Sequence, residues 1–211
     1  VNRDKSVLVG VDAPKPILTS MTGSNADIFP SILKMYVKEG SIIADVTWGR
    51  GAFWSQVDTS KYDLRPSDLL TGTDFRHLPY EDHSIDCLVL DPPYCHGGKT
   101  LHAGLQKNYN NVSTAALDHW GIIRLYGSGI IEASRVLKPR TGIIILKCQD
   151  EIESGKQCWS HMELTQLLTL FGFEVLDLLV LVQDHAPMQR QELQHHARKN
   201  HSFFIVGKFK R

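Results

Sequence analysis

The sequence predicts an α/β protein: a mostly parallel sheet with helices on both of its faces. Three observations carry this. Short apolar runs of strand length alternate with segments of helical periodicity, the order that parallel strands with crossover helices require. Some of those runs, such as Ile85-Asp86-Cys87-Leu88-Val89-Leu90, are nearly continuous in apolar residues, as buried strands are. The last two runs have no helix of useful length between them, which predicts an antiparallel strand at the sheet edge.

Taken in order, residues 1–16 are polar, with two prolines, and read as an arm. Asn25 to Lys38 reads as a helix, because Ile28, Ile32, Leu33, Met35 and Tyr36 fall near helical spacing. Asn25 or Asp27 caps its start, Pro30 belongs in its first turn, and Glu39-Gly40 stops it. Ser41 to Val46 is a buried strand, followed by a glycine turn and a short helix through Phe53 and Val57. A second strand falls near Tyr62 to Ser67. Thr71 to Pro79 is a loop, and Ile85 to Leu90 a strand. The polar stretch from Cys95 to Thr114 is too long for a plain connection and reads as a functional loop. Ala115 to Leu137 is a helix that buries Ile122, Ile123, Leu125, Tyr126, Ile130, Ile131 and Ala133, ended by Pro139 and Gly142. Gly142 to Cys148, Glu174 to Val182 and Ser202 to Phe209 are strands. Met162 to Phe171 is a helix ended by Gly172.

The chain has 211 residues and no net charge, which suits one domain with a sizeable core and gives no global basic signature. Its end is locally basic: Arg198, Lys199, Lys208 and Lys210 face a lone acid, Glu192, after Arg190. The four cysteines show no CxxC pairing, which argues against a zinc site or disulfide framework. Cys87 and Cys148 read as small core residues. No signal peptide or membrane-spanning run is visible, so an intracellular, cytoplasmic setting is expected.

The most informative motif is Asp91-Pro92-Pro93-Tyr94. Two prolines have no N–H to give a ladder, so the strand ends there. An acid and an aromatic are then held on a stiff turn at the strand's carboxyl end, where open α/β sheets bind ligands. Acceptors fixed by proline beside a π face suit a flipped-out nucleobase bearing an exocyclic amine. A second motif, Asp45-Val46-Thr47-Trp48-Gly49-Arg50-Gly51, follows a buried strand; its glycines let a ligand approach the backbone, with a plain tight turn as the alternative. Trp54 stands where a dinucleotide fingerprint wants a third glycine, which disfavours a nicotinamide-binding oxidoreductase.

These two motifs, in this order, resemble a class I S-adenosylmethionine-dependent DNA amino-methyltransferase, and the resemblance covers most of the chain. It implies a Rossmann-like fold over residues 1–211 and S-adenosylmethionine as cofactor. By resemblance, Asp45, Thr47, Gly49 and Gly51 hold the methionine portion. Asn25, Asp27, Ile28 and Phe29 lie where the family's other cofactor motif contacts the methionine carboxylate and covers the ligand. Asp68, in preference to Asp63, binds the ribose hydroxyls, and Asp74-Phe75 lies beside the cofactor adenine. The cofactor motif departs from the common pattern at Thr47, Trp48 and Arg50.

The resemblance makes Asp91, Pro92, Pro93 and Tyr94 catalytic. An exocyclic amine is a weak nucleophile because its lone pair conjugates with the ring. Accepting its hydrogens with the Asp91 carboxylate and the Pro92 carbonyl directs the lone pair at the methyl, and Tyr94 stacks on the base. Arg50 is expected at phosphate. Arg198, Lys199 and Asn200 are expected at phosphate or base, and Lys147-Cys148-Gln149-Asp150 either line the target pocket or decorate the surface. A metal site in the His195, His196, His201 region is disfavoured for want of a nearby carboxylate or thiol. The expected partner is duplex DNA, with N6 of a flipped adenine as target. An RNA methyltransferase and a non-catalytic nucleic-acid-binding subunit are the alternatives, and the oligomeric state is left open.

Overall fold

A computed structural model of the chain describes residues 16–93, 118–183 and 195–211. Tyr94, Cys95, the expected loop to Thr114, the arm up to residue 15 and much of the stretch before Arg198 lie outside the described residues. In chain order the elements are β1 (Ser20–Thr22), α1 (Asn25–Tyr36), β2 (Ile42–Asp45), β3 (Asp63–Pro66), β4 (Cys87–Leu90), α2 (His119–Val136), β5 (Ile143–Cys148), β6 (Glu151–Glu153), β7 (Lys156–Cys158), α3 (Ser160–Leu170), β8 (Phe173–Val182) and β9 (His201–Phe209).

Seven strands form one sheet in the order β1-β8-β9-β5-β4-β2-β3. β2 pairs in parallel with both β3 and β4, β4 with β5, and β1 with β8. β9 is antiparallel to both of its neighbours. Its N-terminal end therefore lies at the sheet edge where the other strands finish. The last two strands do pair antiparallel, as the sequence predicts, and β1 adds a short strand outside them. β1 shields the outer edge of β8, whose peptide groups would otherwise be open to other chains. Because β1 runs with the parallel strands, it delivers the start of α1 to their carboxyl edge.

Strand alternation divides the core between two faces. Ala44, Leu88, Leu90, Ile144 and Leu146 pack with Ile122, Tyr126 and Ile130 of α2 and Leu164 and Leu168 of α3. Ile43, Cys87, Val89, Ile143 and Ile145 point the other way and pack with Ile28, Phe29, Ile32 and Leu33 of α1. Both faces are covered, which is why the central strands are apolar on both faces until their carboxyl ends, where Asp45 and Lys147 stand. Cys87 and Cys148 are core residues, and burial pushes both thiols up.

Four features correct the sequence reading. Pro30 sits inside α1, in its second turn, where the apolar face of the helix holds it despite the missing amide. Met35 and Ile131, placed on buried faces by spacing, are exposed because the sheet covers a narrower stripe of each helix. The β6–β7 hairpin was not predicted; its turn takes positive φ at Ser154 and Gly155.

Gly142 opens β5 directly after the tight turn that follows α2. A Cβ there would lie 2.7 Å from the Lys138 carbonyl oxygen and 2.8 Å from Leu137 Cβ, and neither can yield without moving backbone. Gly142→Ala is expected to destabilise the protein by about 1–3 kcal/mol, lowering Tm by several degrees in a thermal melt. An unchanged Tm would show that this turn relaxes freely.

Candidate active site

The site is built where β2, β3, β4 and β5 end. After β2 the chain turns through Gly49 and Gly51, both at positive φ (56° and 66°). Neighbouring strands pin the turn: Trp48 N–H donates to the Ser67 carbonyl at 3.1 Å, and Gly49 N–H to Asp68 Oδ2 at 3.0 Å. Trp48 folds beneath it so closely that a Cβ on Gly51 would lie 2.5 Å from its ring. Gly49 is more open, with only the Thr47 carbonyl oxygen, at 3.9 Å, near the corresponding point.

Asp45, the last residue of β2, is buried. Trp54 Nε1 donates to one of its carboxylate oxygens at 2.7 Å and Thr47 N–H to the other at 3.1 Å. Burial pushes its carboxyl up to about 7 against the pull of these donors, and the nearby Asp91 and Asp68 charges push the same way. Trp54 is thus the acid's hydrogen-bond partner as well as a bulky residue in the glycine turn's wake. Its indole also packs edge-on to Phe29, which ties α1 to the turn.

Asp91 follows β4 directly. Its N–H donates to Thr47 Oγ1 at 2.7 Å, so the glycine turn fixes the start of the Asp-Pro-Pro segment. Pro92 is buried and Pro93 half-buried. Asp91 Oδ2 lies 3.8 Å from Lys147 Nζ, and Oδ1 is buried with no hydrogen-bond partner among the described residues. Burial raises the Asp91 carboxyl, and Lys147 opposes that rise.

The other expected cofactor residues divide. Asp68 stands at the carboxyl end of β3, accepting from Gly49, Leu70 and Thr71 N–H, whereas Asp63 begins that strand at the opposite edge. Asp27 is exposed; it holds Ser24 at the start of α1 and accepts from Gln56 Nε2 at 2.7 Å, which draws its carboxyl below the usual range. Asn25 is half-buried beside it, while Ile28 and Phe29 are buried in the core. The Asp74 carboxylate is held by the Arg76 guanidinium at 2.6–3.0 Å and lies below its usual range for that reason. Phe75 is buried against Leu90 and Gly129. The loop carrying both is tied to α2, where Glu132 accepts from Leu78 N–H and Arg135 donates to the Leu78 and Tyr80 carbonyls.

Because β9 runs backwards, Arg198, Lys199 and Asn200 come to the same edge. Gln149 Nε2 donates to the Lys199 carbonyl at 3.3 Å, and Lys199 Nζ lies 5.9 Å over the exposed Trp159 ring. Arg50 is exposed on the glycine turn. Lys147 and Asp150, for which surface decoration was one expectation, are both buried. Asp150 holds His161 Nδ1 at 2.7 Å and accepts from its N–H at the start of α3.

The structure therefore brings Asp45, Thr47, Gly49, Gly51, Asp68 and Asp91 together, with Arg50 exposed on the turn. It places Ile28, Phe29 and Phe75 in the packed core behind them. Two roles escaped the sequence reading. Thr47 clamps Asp91, which only the β2–β4 pairing reveals, and Lys147 faces Asp91. The signal for the latter was a lysine inside an otherwise apolar six-residue strand.

No family model matches the sequence, and comparison with curated proteins finds no match. Among solved structures, a candidate methyltransferase from Bacillus halodurans aligns with a TM-score of 0.51 at 10% identity, over 88% of this chain and 100% of the other. The cyclase SpnF aligns with a TM-score of 0.50 at 14% identity, over 88% and 81%. A candidate DNA modification methylase from Thermus thermophilus, solved with S-adenosyl-L-methionine, aligns less well: TM-score 0.41, 13% identity, 81% and 56% coverage. The first two likenesses show the fold, Rossmann-like and of the class I methyltransferase type; at these identities they say nothing of the substrate.

Asp45 supplies a pH-dependent stability. Its folded carboxyl is raised, so its contribution is most favourable below about 4, falls as pH rises, and levels off above about 7. Trp54→Phe removes the donor that favours the carboxylate. Its destabilisation, read by chemical denaturation, is expected to be about 1 kcal/mol larger at pH 8 than at pH 5, because a hydrogen bond to a charged group is worth more than a neutral one. Equal losses at both pH values would mean that the indole serves packing alone.

Proposed function

We propose that this chain is an S-adenosylmethionine-dependent methyltransferase acting on the exocyclic N6 amine of adenine in DNA, with the base flipped out of the duplex. The observation that carries the reading is the bare, buried Oδ1 of Asp91, held on a proline-stiffened turn beside the glycine turn. In this reading residues 1–211 form one methyltransferase domain.

The residues present fit the cofactor. A turn with two positive-φ glycines admits a ligand to the backbone. Asp45 and Asp91 complement a cation, and Asp68 supplies a carboxylate at the end of the neighbouring strand for hydroxyl groups. When bound, S-adenosylmethionine supplies an electrophilic methyl. The protein's own work is placement. Asp91 Oδ1 and the Pro92 carbonyl accept the amine hydrogens, which weakens conjugation of the nitrogen lone pair with the ring and aims it. These acceptors, fixed beforehand by Thr47 and the prolines, meet the positive charge that grows on nitrogen. Tyr94 completes the motif as the stacking surface for the base. Arg50, Arg198, Lys199 and Asn200 supply phosphate contacts from the rim of the same edge.

Transfer of label from radiolabelled S-adenosylmethionine is the direct assay, on unmethylated duplex DNA and structured RNA, read by nucleoside mass spectrometry. N6-methyladenine in DNA is the expected product; label in RNA alone would reassign the substrate, and none despite cofactor binding would reduce the chain to a binding subunit. Asp91→Ala is expected to lower kcat by about 10²–10³ or more while cofactor affinity, by calorimetry, largely survives. Wild-type turnover in that variant would remove Asp91 from the mechanism. Arg50→Ala and Lys199→Ala are each expected to weaken DNA binding across sequences and to reduce the salt slope of log K by about 1. An unaltered slope would leave that side chain a solvated charge.

A further inference from the structure

The only charged residue of β5 lies at its most consequential position. β4 and β5 pair in parallel with Leu90 opposite Leu146, so Lys147 is level with Asp91. Lys147 shares the strand face of Ile143 and Ile145, which look toward α1. Its side chain is 7% exposed, and Nζ lies 3.8 Å from Asp91 Oδ2 and 5.7 Å from the Phe53 ring centroid. Tyr126 Oη donates to the Lys147 carbonyl and fixes the backbone at this point. An ammonium in a buried strand costs stability that an aliphatic residue would not. What it obtains is a defined state of its neighbour: one carboxylate oxygen faces the ammonium while the other stays buried and open.

We infer that Lys147 is a positioning residue: it keeps Asp91 an ionised carboxylate, engages Oδ2, and leaves Oδ1 as the acceptor for the substrate amine. The inference rests on the methyl-transfer reading for its chemical meaning. Only a carboxylate offers both oxygens purely as acceptors; a protonated Asp91 would present an O–H to an amine that itself donates. The ionisable groups around Asp91 are unequal. Asp45, at the end of β2, disfavours a second negative charge, as does the neighbouring Cys148 were it to ionise, and Asp68 adds its charge beside Asp45. Among the described residues Lys147 is the cation set against Asp91, and burial alone would drive Asp91 toward its neutral form.

The test titrates Asp91 itself, by carboxyl carbon NMR with the resonance assigned through Asp91→Asn, in wild type, Lys147→Met and Lys147→Arg. The Met variant is expected to raise the Asp91 midpoint by about 1–3 pH units, and the Arg variant to stay near wild type. Where Lys147→Met does not fold, Lys147→Gln, which keeps a polar end without the charge, is titrated in its place. The acid limb of the kcat/KM profile for methyl transfer is expected to move upward by the same interval, with the KM for cofactor little changed. A midpoint that does not move when the charge is removed overturns the inference, whatever the activity. A midpoint that moves in a chain that transfers no methyl to any nucleic acid would bring down the function reading and leave the Lys147–Asp91 pairing standing.

Discussion

The site depends on one constraint: β2, β4 and β5 are adjacent and parallel, so their carboxyl ends open on the same edge. The hydrogen bond from Asp91 N–H to Thr47 Oγ1 expresses this most directly. It joins the glycine turn after one strand to the acid after the next, and holds each in the other's frame. Just below it the Val46 N–H donates to the Val89 carbonyl at 3.2 Å, so the glycine turn and the Asp-Pro-Pro turn are joined at two points into one surface.

That surface is electrostatically strained. Asp45 and Asp91 are carboxyl groups with little access to water, Asp68 stands beside them, and Lys147 is a buried lysine. Each would cost several kcal/mol alone. The fold offsets the cost with an indole donor on Asp45, backbone donors on Asp68 and the Lys147–Asp91 pair. The offset is incomplete, because Asp91 Oδ1 has no donor among the described residues. An acceptor left bare in a buried position is a debit in the free protein that a donor on a ligand can remove.

The reversed strand β9 serves the same edge from the opposite direction. A parallel strand in its place would have put the basic segment before it on the far side of the sheet. Running backwards, it brings Arg198 to Asn200 beside the end of β5, within reach of Gln149 and Trp159. The edge thus collects acids at its centre and basic residues at its rim. Net charge near zero conceals this, since what matters is where the charges lie.

Much of this was legible in the chain alone. Apolar runs alternating with helical periods predict the sheet and its helices, because burial on two faces forces those patterns. Two prolines after Leu90 end a strand for reasons internal to proline, and Gly49 and Gly51 turn the chain for reasons internal to glycine. Asp91, Asp45 and Asp68 could be chosen as candidates because each stands at or just past the end of a predicted strand. What the sequence could not supply was pairing. Whether Asp45 met solvent or an indole, whether Thr47 reached Asp91, and whether Lys147 lay on the surface or against a carboxylate all depend on strand order and register. Those are set by packing between segments far apart in the chain, and local propensity carries no record of them. The same holds for Ile130 and Ile131: spacing places both on the buried side of their helix, and only the tertiary contacts decide that one is covered and the other is not.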